Sequence, residues 1–337
     1  MFINYAGVNT TIAVKDREFL SPDQWQALLD AKDDQTVANL LQDTPYAMSS
    51  QALSQPDQIE AVLMKGLKAA YDTMFEAAPQ SQVVELFSAK YLYHNLKVLM
   101  KAKATDRNLD KLLIPIGRFS LDSLRHLVDT LESPTAYPSL VEEVRRTWQE
   151  YQAYQITDAI DVGFDGAYFA HLRMLEDKID NPQLKPLIDG MIDFYNVIAI
   201  QRAKELGKSR SFMYTMMTSR GSLDKADLIQ LVEENRLDSW YQALNPTYLG
   251  RAFDQSITLM KEGQIKASHL EQLYDSYLHQ LLHEHRLDTD GPFQVLRYLH
   301  GKEMEVRNLR LVLTGRANGI AQEKIKERMG TIYGKGL

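Results

Sequence analysis

The sequence predicts an all-α fold built from three divergent copies of one helical unit, each about a hundred residues long. Composition points that way first: Leu, Ala, Gln, Glu, Lys and Met recur in segments too long for strands, and only 11 prolines and 17 glycines interrupt 337 residues. A hydrophobic fraction of 45% with 25% charged residues fits a chain that buries a sizeable core. The third observation is recurrence, because three landmarks return in the same order.

Each copy opens on an expected short helix pair: LSPDQWQALLDAKDDQTVANLLQDTPY at 20–46, FSLDSLRHLVDTLESPTAY at 119–137 and GSLDKADLIQLVEENRLDSWYQALNPTY at 221–248. Ser21, Ser120 and Ser222 stand where a hydroxyl can accept from the orphan N–H groups of a helix start. Branched apolar pairs follow (Leu28-Leu29, Leu127-Val128, Leu231-Val232), and each segment ends near a proline on Tyr46, Tyr137 or Tyr248. Longer helices are expected next, at 59–77, 156–178 and 249–262, with a further helix at 269–285 in the last copy.

The third landmark is a helix carrying an asparagine among apolar residues: YLYHNLKVLMK around Asn95, IDFYNVIAIQR around Asn196 and MEVRNLRLVLT around Asn308. The asparagines lie 101 and 112 residues apart and the branched pairs 99 and 104 apart, so two independent markers give similar periods. Boundaries near 116 and 219 follow, giving subdomains at 1–116, 117–219 and 220–337. No Ser/Gly/Pro-rich tether separates them, which implies rigid juxtaposition. After Asn308, Gly319-Ile320 and AQEKIKERM read as a fourth opening element cut short.

A net charge of −7 argues against a protein that coats nucleic acid. The distribution says more: residues 90–118, 196–220 and 302–328 sum to +5, +4 and +3, leaving −19 for the rest. Copies set about a common axis would gather these segments into a basic rim or lumen, whereas independent surface helices would simply be solvated there. The asparagines read as packing or helix-to-loop hydrogen-bonding groups, since a buried amide must find partners. Lys97, Arg202, Arg307 and Arg310 beside them are the better candidates for contact with a partner.

Chemical signatures are weak throughout. Without cysteine there is no disulfide framework, Cys-based zinc site or thiol nucleophile. The N-terminus lacks a basic stretch followed by a long apolar one, and no segment approaches the roughly 18 uncharged apolar residues of a membrane span. GTIYGKGL at 330–337 has three residues between Gly330 and Gly334-Lys335 where a phosphate loop needs four, and no Ser or Thr follows. Asp158, Asp161 and Asp165 share a helix face that could hold magnesium, but no opposed second carboxylate cluster is found. His279, His283 and His285 have ligand-like spacing without the HExxH order, and Asp288-Thr289-Asp290-Gly291 begins like a calcium loop but lacks its twelfth-position acid. Phe212, Met213, Tyr214, Met216 and Met217 are expected in the core.

Over its whole length the chain resembles the C subunit of bacterial and archaeal A/V-type rotary ATPases, whose counterpart in the eukaryotic vacuolar enzyme is the d subunit. The resemblance is most specific in FYNVIAIQRAKELGKSR at 194–210 and in GKEMEVRNLRLVLTGRANGI at 301–320 followed by IKERM. It implies a funnel of three similar helical subdomains about a pseudo-threefold axis, with no catalysis and no cofactor. It also implies a place at the cytoplasmic face of the membrane, between the central axle of an ATP-hydrolysing head and the cytoplasmic loops of a membrane rotor ring. Torque would pass through it to drive proton or sodium transport. On this resemblance Lys97, Asn196, Gln201, Arg202, Glu305, Arg307, Asn308 and Arg310 are candidates for the axle or ring interface. A helical-repeat adaptor and a magnesium-dependent helical enzyme are the alternative readings.

Overall fold

In the computed structural model the described residues are 3–244, 250–330 and 332, and among them are sixteen α-helices and no strand. The chain begins with α1 (Ala6–Lys15), α2 (Pro22–Asp30), α3 (Asp34–Leu41), α4 (Pro56–Ala77) and α5 (Ser81–Thr105). It continues through α6 (Leu121–Thr130), α7 (Pro138–Tyr154), α8 (Asp158–Ile179), α9 (Lys185–Glu205) and α10 (Arg210–Met216). The last six are α11 (Lys225–Glu233), α12 (Leu237–Ala243), α13 (Gly250–Lys261), α14 (Ala267–Glu284), α15 (Phe293–Ala317) and α16 (Gln322–Arg328). The all-α expectation is met.

Local chemistry explains most helix starts. Ser21 accepts from the Gln24 N–H while Gln24 reaches back to the Ser21 N–H, a reciprocal cap on α2 with Pro22 at the first helical position. Ser120 caps α6 through the Ser123 N–H. Ser222 does not cap α11: Asp224 takes that position and accepts from Ala226, because the Ser222 hydroxyl and N–H are both given to Asp193. Tyr248 lies outside the described residues. Residues 138–154, to which the repeat pattern assigns no element, form a full helix opened by Pro138, with Leu140, Val141, Val144 and Tyr151 on its buried face.

The chain folds into two compact units, Met1–Phe87 with His285–Leu337, and Ser88–Glu284. In the first, α15 packs along α4, α1 touches both, and α16 packs on α15. Tyr46, Leu63, Tyr71, Phe293, Leu296 and Leu299 are buried there. Gly66 sits in the middle of α4 because a Cβ would come within 2.7 Å of the Tyr46 ring.

Among its described residues the second unit holds two apolar clusters. One joins α5, α6, α7 and α8 through Leu96, Leu127, Val144 and Phe164. The other joins α9 through α12 with α14 around Phe194, Trp240, Tyr241 and Tyr277. Helices α7 and α8 approach so closely that a Cβ on Gly163 would lie 2.7 Å from the Thr147 hydroxyl. These units divide at 87/88 and 284/285.

Candidate functional site

Each of the three asparagines makes the same two-point contact with backbone. Asn95 donates to the Ile114 carbonyl (2.7 Å) and accepts from the Ile114 N–H (2.8 Å). Asn196 does so with Thr218 (3.0 and 2.9 Å), and Asn308 with Gly330 (3.3 and 2.9 Å). All three side chains are buried. A primary amide has one donor edge and one acceptor edge, so it can replace the missing strand or helix partners of a single residue's N–H and C=O.

The geometry repeats further. Eleven residues beyond each asparagine the chain turns left-handed, at Asp106 (φ 52°), Gly207 (φ 63°) and Gly319 (φ 66°). The next N–H then reaches back to a carbonyl in the last turn of the helix: Arg107 to Ala102, Lys208 to Ala203 and Ile320 to Gly315. This is a Schellman closure, which satisfies carbonyls left open at a helix end. A short helix follows each time, a 3₁₀ turn at Asp110–Leu112, then α10, then α16. Each stops two residues before the clamped position. The segment AQEKIKERM is therefore the counterpart of α10, not the start of a fourth opening element.

Cations on the same helices reach acids on another long helix. On α5, Lys97 and Lys101 bind Asp165 (2.5 Å) and Asp161 (2.7 Å) of α8. Arg202 of α9 pairs with Glu271 of α14. Arg310 of α15 grips both oxygens of Glu60 on α4 (2.6 and 2.8 Å). The asparagine helices α5, α9 and α15 are thus tied to the long helices α8, α14 and α4, respectively. By this pairing α14 occupies the place of α4 and α8, so the expected correspondence of 249–262 with those helices shifts to α14. Half-exposed pairs of this kind contribute about 0–1 kcal/mol each, so they set register more than stability.

Among the interface candidates, Arg202 and Arg307 are exposed, and Lys97 and Arg310 are partly so. Asn196, Gln201, Glu305 and Asn308 are buried and face protein. Gln201 donates to the Ile265 carbonyl (2.8 Å) and, more weakly, to Glu205 (3.3 Å). Glu305 accepts from Lys302 (2.8 Å), the Tyr46 hydroxyl (2.7 Å) and the Leu20 N–H (2.7 Å). Lys302 also lies over the Phe19 ring, 4.0 Å from its centroid.

The other sequence constellations are absorbed structurally. Asp161 and Asp165 are held by lysines, and among the described residues no group of three metal-ligating side chains converges. His279 and His283 stack on each other, whereas His285 hydrogen-bonds Asp288 (2.6 Å) and stacks on Phe293. The calcium-like segment folds over Gln294, which donates to the carbonyls of His285, Arg286 and Asp288. Most of GTIYGKGL lies outside the described residues. Met213 and Met217 are core, as expected, but Phe212, Tyr214 and Met216 are exposed.

Sequence reasoning missed a second latch on the segment clamped by Asn196. The buried Asp193 carboxylate accepts the Ser222 N–H (2.8 Å) and hydroxyl, with Gly221 packed against it. Arg173 donates twice to the Arg220 carbonyl (3.0 and 2.7 Å) and is itself held by Glu176 and Asp189. The readable signal was a lone aspartate three residues before Asn196 on an apolar helix face.

Burial is the main cause that pushes the Asp193 carboxyl above its ordinary value, with the Ser222 bonds opposing. The folded state therefore holds this proton more readily than the unfolded one, and its stability falls as pH rises from the ordinary carboxylate range through the raised value. An asparagine in its place would keep the acceptor for the N–H and offer a donor to the hydroxyl. Asp193→Asn is expected to raise Tm at pH 7, with a gain that shrinks toward pH 4; an unchanged pH profile in thermal melts contradicts the assignment.

Comparison with known proteins gives a consistent picture. The family described as ATP synthase (C/AC39) subunit is matched over residues 8–328. The chain is 30% identical over 331 residues to the C subunit of the V-type sodium ATPase of Enterococcus hirae, covering 98% of this chain and 99% of that protein. It is 24% identical to the C subunit of the A-type ATP synthase of Methanocaldococcus jannaschii, covering 96% and 85%, respectively. With the corresponding protein of Thermococcus kodakarensis it shares 23% identity over 97% and 91%.

Proposed function

The chain belongs to the ATP synthase (C/AC39) subunit family, and on that basis we propose that it is the C subunit of a V/A-type rotary ATPase. It is a non-catalytic part of the rotor, seated between the central axle of the ATP-hydrolysing head and the cytoplasmic loops of the membrane ring. The observation that carries this reading is the extent of the match, which runs through all three asparagine helices and both compact units.

Attachment to the membrane is peripheral, at the cytoplasmic face and through other subunits; among the described residues no helix is long and apolar enough to cross a bilayer. The covalent repeat is 1–116, 117–219 and 220–337, with each asparagine helix lent to the neighbouring copy. The repeated clamp and Schellman geometry supports it.

Torque transfer needs stiffness and register rather than bond chemistry. Stiffness comes from buried two-point clamps, and register at a partly polar joint comes from charge complementarity. Among the candidates, Lys97, Arg202, Arg307 and Arg310 touch the axle or ring, while Asn196, Gln201, Glu305 and Asn308 hold the helices that present them. Arg202→Glu with Arg307→Glu is expected to weaken binding to the purified axle at least tenfold, with helicity unchanged by circular dichroism. Unaltered affinity in that titration removes these two arginines from the interface.

A further inference from the structure

Helix α10 carries a surface that its own fold does not require. Its counterpart α16 supplies an internal control, since both lie between a Schellman turn and a clamped residue. Counting back from the clamps, Met213 matches Ile325, and both are buried. At the flanking positions α16 has Lys324, Lys326 and Arg328, where α10 has Phe212, Tyr214 and Met216. Those three are 40%, 50% and 39% exposed, and Leu206 at the preceding turn is 72% exposed. A position that works with lysine in one copy has no structural need for an aromatic ring in another.

The apolar groups come with a matched set of cations. Residues 206–225 hold Lys208, Arg210, Arg220 and Lys225 against the single acid Asp224, which is occupied in capping α11, while Glu233 of α11 lies 3.8 Å from Arg210 and offsets part of its charge. Lys208 lies 5.5 Å from the Phe212 ring centroid and Lys225 lies 4.9 Å from that of Tyr214. Each exposed ring therefore carries an ammonium beside it.

Shape selects the occupant. Six of the seven α10 residues are exposed and Met213 alone is buried, so the helix stands as a ridge, with no walls to receive a peptide. From the helical spacing, Phe212 and Met216 share one flank, Tyr214 the other, and the short Ser211 and Thr215 form the crest. A fluid surface into which the ridge can sink meets both flanks at once. Aromatic and thioether groups at the level of acyl chains, with lysine and arginine stems reaching phosphates, make up the usual interfacial anchor. We propose that the α10 ridge docks onto an anionic lipid surface, through Phe212, Tyr214, Met216 and the cations Lys208, Arg210 and Lys225.

The inference is independent of the partner assignment above, and its test uses the full chain alone. Flotation with vesicles of about 30% phosphatidylglycerol in phosphatidylcholine is compared with pure phosphatidylcholine. Binding is expected to be at least tenfold stronger to the anionic vesicles and to fall at least tenfold between about 0.1 and 0.5 M salt. The F212S/Y214S/M216S and K208E/K225E variants are each expected to lose at least tenfold, with helicity intact. Equal binding to both vesicle types, no binding to either, or variants that bind like wild type would overturn the proposal. So would loss of capture by the detergent-solubilised ATPase in these variants without loss of vesicle binding, which would make the ridge a contact for an acidic protein surface.

Discussion

Replacing Lys302 with methionine is expected to destabilise the protein by about 3–5 kcal/mol, because it leaves a buried carboxylate without its counter-charge. Lys302 and Glu305 each have side chains only 2% exposed and lie one turn apart on α15. Glu305 gathers three donors, from Lys302, Tyr46 and the Leu20 backbone, and so ties α15 to the start of α2 and to the segment before α4. With the ammonium gone, two neutral donors remain against a full buried charge.

The double variant K302M/E305Q tests whether charge imbalance, rather than lost packing, is responsible. A glutamine in place of Glu305 keeps an acceptor for the Leu20 N–H and carries no charge, so at least half of the lost stability should return. Urea unfolding of the single and double variants measures this. A cost below about 1 kcal/mol for the single substitution would mean that the pair is hydrated and worth no more than a surface bridge.

Asn196→Ala is the second large effect, with an expected cost of about 2–4 kcal/mol. It leaves both the N–H and the C=O of Thr218 without their partner, and an unsatisfied buried polar group costs about 1–3 kcal/mol. Asn196→Asp should cost nearly as much, since its carboxylate can accept from the N–H but repels the carbonyl. Amide exchange distinguishes a local latch from general loosening. Protection should fall first at Thr218 and along 206–222, before the core of α9 or α14 is affected. Uniform loss of protection across the second unit would show that the amide serves packing alone.

The recurring asparagine was legible because period is a property of sequence, and each asparagine makes the same contact. Even the hydrogen-bonding role was readable, since an amide on an apolar helix face must be answered. What it answers was not readable, because the clamped residues Ile114, Thr218 and Gly330 share no side-chain identity; the contact is to backbone. The left-handed turn was half visible as Gly207 and Gly319, but in the first copy Asp106 takes that conformation and breaks the pattern.

Packing partners were the larger gap. Arg310 and Glu60 are 250 residues apart, and nothing local to either announces that α15 lies along α4. Charge counting had the same weakness: it treated every cation on the asparagine helices alike, whereas Lys302 is buried, Lys97 and Lys101 are ion-paired and Arg202 stands at the surface. Ser222 shows the same effect at one residue, drawn from a capping role by an aspartate 29 positions earlier.

The claim that this chain joins axle to ring is tested most directly by capturing the purified rotor ring on a tagged axle, with and without the chain. The expected result is recovery of the ring only when the chain is present, in equimolar amount with it. Ring recovered equally without the chain, or absent when the chain is bound to the axle, would contradict the assignment.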